Sequence, residues 1–218
     1  MSDSDSASAK LEHEACWVDT HCHLDRFVHN GTLEKILANA RANGVGQLVV
    51  AGTSPEDWEL YRSLHREHPG HIRYSVGIHP NEVDADFEQQ IATLETFFKS
   101  DAPPCAVGEV GLDYYRLPQD SAEAARATER QQRAFILQIR LALAFDKPLI
   151  IHARNAFADT VRLLEENRAN WEKVVFHCFA EGPDPVLFLR ERGAWASFTG
   201  VLTYNNAEIT RQACLAQG

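Results

Sequence analysis

Two histidines separated by one residue, His21 and His23, lie in the run Asp19-Thr20-His21-Cys22-His23-Leu24-Asp25, just after a short apolar stretch. On an extended chain, side chains two apart face the same way, so both imidazoles can turn toward one cation. Neutral imidazole is a ligand for zinc and similar transition metals. Taken alone, the pair reads equally well as two surface histidines beside a strand end.

Further donors stand at comparable places. Glu109 lies in Ala106-Val107-Gly108-Glu109-Val110-Gly111-Leu112-Asp113, His152 ends Leu149-Ile150-Ile151-His152, and His177 ends Val174-Val175-Phe176-His177. One buried histidine is more often structural than a ligand. Four histidines and one glutamate, each closing an apolar run, are a poor match to that bland reading. A carboxylate can bridge two cations through its two oxygens, and Glu109 is the candidate on a middle strand, as ligand and as catalytic group. Two cations roughly 3.5–4 Å apart clamp a phosphodiester and generate hydroxide near neutral pH. Mixed imidazole and carboxylate ligation suits Zn, Mn or Co, with Mg also open.

Around this set lie candidate substrate contacts. His79 closes Gly77-Ile78-His79-Pro80, and Arg154 follows His152 by two residues, where a guanidinium fork suits a phosphate. Tyr114 and Tyr115 read as loop packing, with base stacking as the alternative. Cys22 and Cys178, each beside a candidate ligand, read as packing residues that point away from the metal.

The elements that must carry these residues alternate. Apolar runs beginning near Cys16, Gln47, Ile72, Cys105, Leu149, Val174 and Ala194 read as strands. Between them, stretches such as Leu33-Ile36-Leu37-Ala40, Phe87-Ile91-Leu94-Phe98 and Phe135-Ile139-Leu143 carry apolar residues at helical spacing. Alternating strands and helices predict a parallel sheet with helical crossovers. The pace is that of a (β/α)₈ barrel, whose active site gathers at the C-terminal ends of the strands. A doubly wound open sheet is the alternative. Seven strands are legible; after Thr199 only a loop and a helix over about Asn206 to Ala216 remain.

The 218 residues, 44% hydrophobic and 24% charged, fit one globular domain. We expect residues 1–14 to form a disordered tail and residues 15–218 a single barrel domain. No apolar run approaches the roughly 20 residues that span a membrane, and residues 1–10 lack the pattern of a secretory signal. Five scattered cysteines without CxxC spacing argue against a disulfide framework or a cysteine zinc site, and for a cytoplasmic setting. A net charge of −10 weighs against broad electrostatic adhesion to nucleic acid, though not against a small site whose cations reverse the local potential. No membrane and no obligate protein partner is expected.

The segments DTHCHLD, GIHP, VGEVGLDYYR, PLIIHAR and VFHCF followed by ASFTG occur in an order that resembles the TatD family of the amidohydrolase superfamily, from about Cys16 to the C-terminus. That resemblance implies metal ligation by His21, His23, Glu109, His152 and His177, and a 3′→5′ exonuclease or related deoxyribonuclease activity on DNA or another phosphodiester. Three departures stand out. The Asp of the family's eighth strand, in an ETDxPYL-like motif, has no counterpart, so the barrel is expected to be C-terminally truncated. Asn155 stands where relatives often carry Asp, and the loop from Leu117 to Thr128 reads as long. The rival readings are a deacylase or other ester or amide hydrolase on the same site, and a catalytically inactive remnant.

Overall fold

The computed structural model describes residues 17–218; the expected tail over residues 1–14, and Cys16, lie outside them. Among the described residues, seven strands form one parallel sheet: β1 (Trp17–Cys22), β2 (Val45–Val50), β3 (Ile72–Val76), β4 (Ala106–Asp113), β5 (Leu149–Arg154), β6 (Val174–Phe176) and β7 (Trp195–Ala196). They are ordered β1-β2-β3-β4-β5-β6-β7. A doubly wound sheet reverses its order at a switch point. Here every strand lies beside its neighbour in sequence, so the sheet curls one way as a seven-stranded partial barrel, and the open-sheet alternative falls away.

Among the described residues, eight α-helices cross between or follow these strands: α1 (Asp25–His29), α2 (Leu33–Ala42), α3 (Pro55–Glu67), α4 (Phe87–Phe98), α5 (Ser121–Ala144), α6 (Phe157–Glu166), α7 (Pro183–Glu191) and α8 (Glu208–Gln217). Their starts follow from local chemistry. Pro55 and Pro183 occupy first-turn positions, where a missing N–H costs nothing. Asp120 accepts a hydrogen bond from the Glu123 N–H at 2.9 Å and caps α5. That cap corrects the expectation of a long loop from Leu117 to Thr128: residues from Ser121 onward are already helix.

The buried faces of the helices pack on the sheet. Leu37, Tyr61, Phe135 and Leu164 from the helices meet Ile72, Tyr74, Ile151 and Phe176 from the strands, all fully buried. At roughly 1.5–3 kcal/mol per fully buried large apolar side chain, this contact is the main term that orders the strand ends. β4 is buried along its whole length and carries both Glu109 and Asp113.

Close approach of β4 to β5 depends on one glycine. Gly111 has φ +138° and stands opposite His152 in the register; a Cβ there would lie 2.1 Å from the His152 carbonyl oxygen. No side chain fits, so the glycine lets the strand carrying Glu109 lie tight against the strand carrying His152. No helix among the described residues is long and apolar enough to cross a membrane. The four described cysteines are free.

Candidate metal centre

The strand ends place the donors on one rim. His21 lies within β1 and His23 just after it; His79 follows β3; Glu109 and Asp113 belong to β4, His152 to β5; His177 follows β6. Alternation along β4 turns Glu109, Gly111 and Asp113 to the same side.

Glu109 is the hub. It is 4% exposed, and its two oxygens face different partners. Oε2 lies 3.1 Å from His21 Nε2 and 3.7 Å from His23 Nε2. Oε1 lies 2.8 Å from His152 Nδ1 and 3.6 Å from His79 Nε2. The rings of His21 and His177 stack with centroids 3.3 Å apart, and the Nε2 atoms of His21 and His23 are 3.2 Å apart. Two sets of potential ligand atoms result, His21-Glu109-His177 and His79-Glu109-His152, each with its atoms within 4.8 Å of one another.

The electrostatics favour the neutral form of His23, His79 and His177 around a charged carboxylate. Burial opposes the charge on Glu109, but hydrogen bonds with His152 and His21 and the nearby His79 ring hold its carboxyl well below the usual range. Burial pulls His177 down to about 3, with His21 adding to the effect. Burial likewise lowers His79 to about 4, against the opposing pull of Glu109. His23 is lowered by burial and by His21. Neutral imidazole is the form that coordinates a cation.

The donor set fits a metal. Several imidazoles turn nitrogen atoms toward a single carboxylate that they cannot all protonate. The Nε2 atoms of His21 and His23 stand 3.2 Å apart beside Glu109 Oε2, and a neutral imidazole has only one N–H to offer. A cation would use lone pairs that otherwise face one another.

Asp113 was not singled out from sequence. Only 1% exposed, its Oδ2 lies 3.2 Å from His152 Nε2 and accepts a hydrogen bond from Asn81 Nδ2 at 3.1 Å. With a cation in place of the Nδ1 proton, His152 would keep its one N–H on Nε2 and donate it to Asp113, the arrangement that orients a metal-binding histidine. The position was legible in retrospect: Asp113 stands four residues after Glu109 on one strand face.

The rim opens into a cleft of about 540 Å³ lined by His23, His79, Glu109, His152, Arg116 and Arg154, among others. The Arg154 guanidinium carbon lies 3.8 Å from the Tyr115 ring centroid. Neither the Arg154 nor the Arg116 side chain joins an ion pair among the described residues. Tyr114 is packed, with its hydroxyl donating to Asp159 Oδ2 at 2.9 Å. Cys22 behaves as expected, turned toward the Val49 carbonyl at 3.6 Å, where burial pushes its thiol up to about 12. Cys178 does not: it lines the cleft, with Sγ 3.3 Å from Thr199 Oγ1.

Comparison with known proteins gives the family and the fold. Residues 18–217 match the family described as TatD related DNase. The chain is 32% identical over 200 residues to an uncharacterized metal-dependent hydrolase, YcfH, of Escherichia coli K12, covering 90% of this chain and 71% of that protein. It is 30% identical over 169 residues to the 3′-5′ ssDNA/RNA exonuclease TatD of Escherichia fergusonii, covering 77% of this chain and 61% of that one. Among solved structures, the TatD homologue YJJV of Escherichia coli K12 superposes with a TM-score of 0.79 at 26% identity, covering 90% of this chain and 73% of that one.

Proposed function

This chain belongs to the TatD-related DNase family and is a metal-dependent hydrolase, and we propose that it cleaves phosphodiester bonds of DNA, removing nucleotides from a 3′ end. The observation that carries this reading is the division of Glu109, with one oxygen facing His21 and His23 and the other facing His152 and His79. That division suits a carboxylate bridging two divalent cations. In this reading His21, His23 and His177 serve the Oε2 side, and His152, with His79 beside it 3.6 Å from Oε1, the Oε1 side.

Divalent cations held there would act as Lewis acids, lowering the pKa of bound water and neutralising phosphate charge. The chain's own groups do the rest. Glu109 supplies the anionic hub and Asp113 fixes the ring of His152. Arg154 and Arg116, without carboxylate partners, offer donors to phosphate oxygens at the mouth of the cleft. His79, beside His152 on the Oε1 side, also lines the cleft wall and from there meets a substrate oxygen. The relative from Escherichia fergusonii, named for exonuclease action on single-stranded DNA and RNA, supports the choice of phosphodiester over ester or amide substrates.

The test is an assay of the purified chain on 5′-labelled single-stranded DNA with Mn²⁺ or Mg²⁺, beside Glu109→Ala and a panel of carboxylic esters and amides. Metal-dependent shortening from the 3′ end, absent in Glu109→Ala, is the expected result. Turnover confined to the esters or amides would replace the nuclease reading with the deacylase one. No metal-dependent turnover on any arm would favour a chain that binds metal without catalysis.

A further inference from the structure

Helix α5 carries two buried glutamines seven residues apart, two turns of one face, with Ala134 and Phe135 buried between them. Gln138 accepts the Ile78 N–H at 2.7 Å and donates to the Ile78 carbonyl at 3.2 Å. Gln131 accepts the Asp113 N–H at 3.0 Å and donates to the Asp113 carbonyl at 3.3 Å. Each amide thus spends both functions on the backbone of a single residue, as a neighbouring strand would. The two residues held are the ones beside the site: Ile78 immediately precedes His79, and Asp113 itself touches His152.

Packing alone does not account for this. A Leu or Met would fill the same volume without bringing a polar group into the core, and a buried amide is tolerated only when it is satisfied. The directional bonds end at the backbone of β4 and of the turn after β3, and at no other strand end. The helix is a rigid bar of fixed rise, so the two clamps set where His79 and Asp113 stand relative to each other.

We infer that Gln131 and Gln138 are positioning residues for the Oε1 side of the metal centre, holding His79 directly and His152 through Asp113. The inference rests on the two-cation reading above. It assigns the clamps to one side of Glu109 only, because His21, His23 and His177 come from strands that α5 does not clamp.

The test is cation counting on EDTA-stripped protein, with free Mn²⁺ followed by electron paramagnetic resonance and unfolding followed in parallel. The variants are Gln138→Met, Gln131→Met and, as the milder change, Gln138→Glu, which keeps the acceptor for the Ile78 N–H. Gln132→Met is the control, since Gln132 bonds Tyr114 and Asp159 instead. The wild type is expected to bind two Mn²⁺. Each Met variant is expected to keep one at wild-type affinity and to weaken the other at least tenfold, Gln138→Glu less so, while Gln132→Met keeps both. Folded clamp variants that bind both cations normally, or weaken both equally, overturn the inference while leaving the two-cation reading intact. If Gln138→Met does not fold, Gln131→Met and Gln138→Glu carry the same comparison. A wild type that binds a single cation overturns the two-cation reading, and this inference with it.

Discussion

Glu109 Oε1 lies 2.8 Å from His152 Nδ1, while the far nitrogen of the same ring lies 3.2 Å from Asp113 Oδ2. His152 is therefore held between two carboxylates of one strand, one at the hub of the site and one behind the ring. The roles of these carboxylates differ, and substitution separates them.

Glu109→Gln keeps the shape and removes the charge that both histidine sets share. We expect hydrolysis to fall by about 10³-fold or more, with cation binding lost in isothermal titration and the circular dichroism spectrum retained.

Asp113→Asn leaves Glu109 in place and disturbs the ring of His152. The expected cost is about 10–100-fold in metal affinity or activity, typical of a group that orients a ligand from behind. Titration of the stripped variant with Zn²⁺ checks it, and an unchanged affinity would show that Asp113 orients nothing.

The metal-free protein is expected to lose stability in mild acid. His79 is lowered to about 4 and His177 to about 3, mainly by burial, whereas an unfolded histidine titrates near 6.5. Between those values the unfolded chain binds more protons, so the stabilisation is complete above about pH 6.5 and is lost as pH falls toward 4. His79 alone contributes roughly 2 kcal/mol of that loss by pH 5. Urea unfolding in EDTA at pH 7.5 and pH 5 measures it; a flat profile would mean these rings are not desolvated in the fold.

Gly111→Ala places a Cβ 2.1 Å from the His152 carbonyl at a φ of +138°. Overpacking and backbone strain together are expected to destabilise the fold by about 2–4 kcal/mol. Metal affinity should fall with it, since β4 and β5 must separate. Calorimetry with and without Mn²⁺ separates the two losses.

Arg154→Lys preserves charge but loses the planar fork and the stack on Tyr115. A rise of about tenfold in KM for single-stranded DNA with little change in kcat is expected. A loss confined to kcat would move Arg154 from binding the substrate to stabilising the transition state.

Much of this was legible in the chain because strand ends announce themselves. His152 and His177 each close an apolar run, and the period-two spacing of His21 and His23 turned both toward one point, so the convergence on Glu109 could be read from type and position. What periodicity does not encode is distance across strands. It gave no sign that His79, expected at the substrate rim, would stand 3.6 Å from Glu109 Oε1. Nor did it show that Asp113 would lie behind His152, because that depends on the register between β4 and β5. Gln131 and Gln138 were invisible for another reason: on a helix otherwise rich in polar residues, nothing local marks which amides are buried.

The most direct measurement is an anomalous diffraction map from crystals grown with Mn²⁺, recorded near the manganese edge. Two peaks flanking Glu109, one toward His21, His23 and His177 and the other toward His152, are predicted. Peaks elsewhere, or none within coordinating distance of the Glu109 oxygens, would contradict the claim that these strand ends build a binuclear hydrolytic centre.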